Sequence, residues 1–129
     1  MAYTVKYSHE KDYIFVIING EFSLLVFKRV AADVANIVAE TDCKRILNDM
    51  RGAELTVNTF DIYSMPESAQ QSGVSLFLRR ALIVGKRASE FSFLETVFLN
   101  QGHMVKLFAN YEEGEKWLFE DELAAGTKT

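Results

Sequence analysis

Asp49 and Arg51 stand two residues apart, just past the short apolar run Ile46-Leu47 that the basic pair Lys44-Arg45 introduces. An acid and a guanidinium brought out by a buried strand can grip a polar ligand at a sheet edge, and Gly52 completes the abrupt polar exit. Lys86, which follows the apolar run Ala81-Leu82-Ile83-Val84, would add a second cation to that site. A plainer use of the same residues is structural: Asp49 accepts backbone N–H groups of its own loop, and Arg51 pairs with an acidic neighbour.

Phosphorylation is a second chemistry the residue types allow. Thr56 and Thr59 flank Asn58, and negative charge added where a helix begins is favourable. As ordinary residues, Asn58 and Thr59 serve as helix caps. Catalysis has less to stand on, because the chain has no Gly-rich phosphate loop and no Ser-containing nucleophile elbow. Its two histidines, His9 and His103, have no candidate metal ligands at useful spacing, so neither a metal nor another cofactor is expected, and no enzyme activity. His9 reads as a solvated turn residue, and His103 as a cation at a helix end.

Composition narrows the classes further. The chain has 129 residues, 49% hydrophobic and 25% charged, which suits one folded domain with a real core. A net charge of −4 gives no global basic field for nucleic acid. The local basic pairs are Lys44-Arg45, Arg79-Arg80 and Lys86-Arg87. They read as solvated strand ends, although the last two flank one strand and could face a phosphate or carboxylate. No basic region leads into an apolar run at the start, so no signal peptide is expected, and no stretch is apolar for long enough to span a membrane. The single Cys43 rules out an intrachain disulfide and fits a reducing cytoplasm; it reads as a small hydrophobe entering a strand.

The elements that must position these residues follow from periodicity. Thr4-Val5-Lys6-Tyr7 and Tyr13 to Ile18 form a hairpin around a polar turn, and the second strand lacks alternation, which places it centrally. Ser23 caps a helix whose Phe27, Val30, Ala31, Val34, Ile37 and Val38 recur at helical spacing. A strand from Arg45 to Asn48 precedes a loop at 53–57. Asn58 with Asp61 and Ser64 with Glu67 are two start signals around Pro66, predicting two short helices or one strongly broken helix, 59–65 and 66–71. After the strand ending at Val84 comes a helix from Glu90 to Gln101 with Phe91, Leu94, Val97 and Phe98 on one face and Gly102 past its end. A strand from Met104 to Phe108 and a helix capped by Asn110 with Glu113 close the domain. Residues 1–120 make the domain and 121–129 a frayed tail. The alternation predicts an α/β fold with a mostly parallel five-stranded sheet, an N-terminal hairpin and helices on its faces.

This order, with Ile46 to Gly52, Asp61-Ile62-Tyr63, Pro66-Glu67, Arg79 to Val84, Phe93 with Glu95-Thr96, Asn100 to Phe108 and Glu113 to Leu118, resembles the SpoIIAA-like (STAS-like) family. That family is related in fold to the lipid-binding domain of Sec14-type proteins. The resemblance runs from Tyr3 to Leu118 and implies a small single domain without assigned enzyme activity. It implies a regulatory role, as in anti-sigma factor antagonists, or the binding of a lipid or other apolar small molecule. The antagonists carry Asp-Ser-Ser-Gly after the third strand. Here the place reads Thr56-Val57-Asn58-Thr59, so only Thr56 or Thr59 could take the phosphate.

Ten Phe, five Tyr and one Trp are a surplus for so small a domain, concentrated at Phe22, Phe60, Phe91, Phe93, Leu99 and Phe119. Core filling is their first use. Any exposed part implies an apolar-ligand site, a protein partner or a homodimer. The expected ligand-contact set is therefore Asp49, Arg51, Gly52, Lys86 and Phe93.

Overall fold

β1 (Tyr3–Ser8) and β2 (Tyr13–Phe22) pair antiparallel around a tight turn, where Asp12 adopts φ 56° and its N–H donates to Ser8 O at 2.8 Å. A short polar side chain tolerates that left-handed conformation. α1 (Leu24–Thr41), β3 (Arg45–Leu55), α2 (Thr59–Gln71), β4 (Arg79–Ile83), α3 (Ala88–Asn100), β5 (Met104–Phe108) and α4 (Tyr111–Lys128) follow. The computed structural model describes residues 3–128, and the side chains of residues 3–120. The expected frayed tail at 121–129 falls outside the described side chains.

The five strands lie in chain order, β1-β2-β3-β4-β5, and every pair after the first is parallel. Because each parallel crossover steps the same way and crossovers are right-handed, α1, α2 and α3 must share one face of the sheet. They form a continuous helix layer there, while α4 covers β3, β4 and β5 from the other side. Two cores result. Ile14, Val16, Ile46, Met65, Phe91 and Phe98 belong to the larger, under the helix layer. Tyr13, Leu47, Ala81, Ile83 and Leu118 make the smaller, under α4. Gly114 lets α4 press on the sheet: a Cβ there would lie 2.6 Å from Ile83 Cδ1.

The caps form as the residue types predict. Ser23 Oγ accepts from Val26 N at 3.2 Å, and Asn58 Oδ1 from Asp61 N at 2.8 Å. Asn110 and Glu113 close a reciprocal capping pair. On α3 the buried residues are Phe91, Leu94, Val97 and Phe98, the predicted face.

Two expectations are corrected. The segment 59–71 is one helix, with Pro66 inside it and buried beside Ile62, Met65 and Ala69. Burial of that whole face holds the helix together across the hydrogen bond the proline lacks. The strand begun at Arg45 does not stop at Asn48 but runs to Leu55, taking in the first three residues of the loop expected at 53–57. Beyond a register shift between Ile17 and Asn19, it keeps pairing with β2 from Asn19↔Gly52 to Phe22↔Leu55.

Candidate functional site

β3 places Asp49 opposite Ile83, the last residue of β4, and turns its side chain toward α4. Its carboxylate is fully used there. Asp49 Oδ1 accepts from Arg51 N at 3.1 Å and Arg51 Nε at 3.0 Å, while Oδ2 accepts from Arg51 Nη2 at 2.9 Å and the Tyr111 hydroxyl at 2.7 Å. Burial pushes the Asp49 carboxyl up, but the Arg51 and Tyr111 bonds outweigh it and hold the group below the usual range. Burial and the same Asp49 contact push the Tyr111 phenol up to about 12. This network fastens β3 to α4, the structural use of Asp49.

The rest of the expected set divides. Gly52 sits against Asn19 of β2, where a Cβ would fall 2.2 Å from Asn19 Oδ1. Gly85, at φ +62°, backs the Arg51 side chain, and Arg87 Nη1 donates to Arg51 O at 3.1 Å while gripping Glu90 with its other nitrogens. Lys86, between them, is exposed, and among the described residues it forms no ion pair. Phe93 lies on the opposite side of the sheet, in the helix layer, edge-on to Tyr63 with ring centroids 5.5 Å apart. Together with Phe60 these rings leave an exposed aromatic patch. Phe22 and Phe91 of the aromatic surplus are instead core residues. Thr56 and Thr59 are both exposed. Thr59 is the first residue of α2, whereas the Thr56 hydroxyl reaches toward Glu21.

The arrangement that sequence reasoning missed lies under the helix layer. Strand alternation sends Arg79 of β4 toward α4 and Arg80 the other way. Arg79 stacks on Trp117, 3.9 Å from its ring centroid, and donates twice to Trp117 O. Arg80 is 8% exposed and points among apolar residues, bonded through Nη2 to Nδ1 of His103, itself 2% exposed. Because a guanidinium only donates, His103 Nδ1 accepts and its proton resides on Nε2. Arg80 Nε and His103 Nε2 are buried without a hydrogen-bond partner. Burial pushes the Arg80 guanidinium down to about 10; burial and the Arg80 charge push the His103 imidazole down to about 4. His103 is thus a neutral, buried acceptor and not the helix-end cation expected. The signal was present: two adjacent arginines in a strand covered on both faces cannot both reach water.

Arg80 forms part of the wall of a cavity of about 80 Å³ between the sheet and the helix layer. Phe22, Phe27, Phe91, Leu94, Phe98 and Val105 supply much of the rest, and half-buried Asn48 is its other polar residue. Among the described residues no cluster of His, Cys, Asp and Glu could hold a metal, and no helix is long and apolar enough to cross a membrane. Cys43 is a buried free thiol, as its reading as a small hydrophobe requires.

The architecture matches solved structures, among them the following two. One is an uncharacterised protein of the DUF3478 family with a SpoIIAA-like fold from Shewanella loihica PV-4: TM-score 0.64, 12% identity, covering 91% of this chain and 93% of that one. The other is the anti-sigma factor antagonist SpoIIAA in its unphosphorylated form: TM-score 0.53, 10% identity, covering 87% of this chain and 92% of that one. No protein-family model matches the sequence, and no curated protein matches it. The fold is therefore SpoIIAA-like (STAS-like), as the order of elements and motifs implied.

Proposed function

We propose that this chain is a non-catalytic regulatory domain that binds a small apolar or lipid-like molecule in the cavity between its sheet and its helix layer. The cavity carries the reading. Close-packed interiors leave few voids larger than a water molecule, and an apolar void is a place where a ligand gains burial. This one is about 80 Å³ and is walled chiefly by Phe, Leu, Val and Ile side chains. The regulatory part is supported by the likeness to an anti-sigma factor antagonist. The Phe60, Tyr63 and Phe93 patch is the surface for a protein partner or a second copy. A reducing cytoplasm would keep Cys43 a free thiol.

Native mass spectrometry of gently purified protein tests the ligand. An added mass lost on denaturation is expected. Protein that is always ligand-free and takes up neither a fatty acid nor a neutral apolar probe removes the reading.

Thr59 supports a second reading, a phosphorylation-controlled regulator. It is exposed as the first residue of α2, beside the Asn58 cap, where a phosphate gains from the helix dipole. Thr56 suits this less well, since Glu21 lies against its hydroxyl. Phosphate on Thr59 in protein purified from its own cells is the expected mark, and its consistent absence from both threonines eliminates this reading.

A further inference from the structure

We propose that the cavity takes a short apolar monocarboxylate, its carboxylate on the Arg80 guanidinium and its hydrocarbon body against the phenylalanines. This rests on the reading of the cavity as a ligand site and assigns its chemical class. The first support is charge. Among the described residues that line the cavity Arg80 is the sole charged one, and burial alone acts on its ionisation, with no carboxylate beside it. A buried cation without a counter-ion is strongly destabilising unless something supplies one. The Phe98 ring, over which the guanidinium lies 5.5 Å from the centroid, is only a partial substitute.

Hydrogen bonding narrows the class further. Of the two orphaned buried N–H donors, Arg80 Nε and His103 Nε2, only the first belongs to a residue of the cavity wall, and what is missing beside it is an acceptor. His103 occupies only Nη2 of the guanidinium, leaving Nε to bond an oxygen, and a carboxylate fits a guanidinium better than any other small anion of single charge. A dianion such as phosphate would need more donors than Arg80 and Asn48 can offer. Size favours a short chain: about 80 Å³ is roughly half the ~150 Å³ cavity that accommodates benzene.

Propanoate and propan-1-ol, alike in size but not in charge, test the proposal in NMR titrations of the whole chain, with sodium chloride at matched ionic strength as the control. Propanoate is expected to bind at least ~10-fold more tightly than the alcohol and to shift the Arg80 Nε–H signal. In Arg80→Met, whose side chain fills similar space without charge, that preference should fall to about one while the alcohol still binds. Arg80→Lys, which keeps the charge but not the fork, should fall between the two. Equal affinities in the wild type overturn the carboxylate assignment and leave the apolar site standing. Binding of neither probe overturns both. An equal shift of the Nε–H signal by chloride alone, or an undiminished preference in Arg80→Met, also overturns it.

Discussion

The two faces of the sheet treat the same kinds of residue in opposite ways. Toward α4, Asp49 is saturated by Arg51 and Tyr111, and Arg79 lies on Trp117 with its nitrogens bonded to a carbonyl. Toward the helix layer, Arg80 has one neutral histidine for a partner and an unpartnered Nε. Arg79 and Arg80 are consecutive residues of one strand, yet the first helps hold the fold together and the second strains it. Polar groups that close on one another report on architecture. Arg80, left open in the wall of a cavity, is what the proposed ligand would satisfy, and the proposed site therefore lies in the interior and not at the Asp49 edge.

The largest effect expected from this contrast is its response to acid. His103 titrates near 6.5 in an unfolded chain and near 4 in the folded one. Between those values the unfolded chain holds more protons, so stability rises with pH across the window; it is fully present above 6.5 and lost as pH falls toward 4. The difference corresponds to about 3 kcal/mol. Urea denaturation between pH 4 and 7 measures it, and His103→Gln, which keeps an acceptor but does not titrate, should flatten the slope. An unchanged slope in the variant would place the acid sensitivity elsewhere.

The paired arginines come next, with opposite signs. Arg80→Met removes an uncompensated buried charge but also takes the donor from His103 Nδ1, so its net effect is expected to be a smaller stabilisation, about 1 kcal/mol. Arg79→Met forfeits the bonds to Trp117 O and the contact with its ring, a loss of about 1–2 kcal/mol. Chemical denaturation of the two variants side by side reads both. Loss of stability in each would erase the distinction between the faces.

Much of this fold was legible in the sequence because its signals are local. Ser23, Asn58 and Asn110 announce helix starts, and Phe91, Leu94, Val97 and Phe98 mark one helical face; each needs only its near neighbours in the chain. Pro66 misled because its local rule is strong, and the burial of the face around it could not be known beforehand. The site was less legible. Asp49 and Arg51 drew attention by adjacency, but whether they face a ligand or each other was decided by Tyr111, which arrives from 62 residues away. His103 reads as a helix-end cation until β4 is set beside β5, which brings Arg80 to it.

The smallest of these effects tests whether the two faces act independently. Tyr111→Phe removes one hydrogen bond to Asp49 and keeps the ring, with its contacts to Phe15 and the Arg51 guanidinium. A single such bond contributes about 1 kcal/mol, so the variant should lose about that much at neutral pH. Asp49 would still be held low by Arg51, though less far. Its folded carboxyl lies below its unfolded value, so this stabilisation is present above the usual carboxylate range and disappears as pH falls through the folded value. The variant should therefore converge with the wild type in strong acid. Propanoate affinity should not change, since Tyr111 packs with the core under α4 and has no part in the cavity wall. If removing this hydroxyl weakened propanoate binding, the sheet would be coupling its two faces, and Asp49 would belong to the site after all.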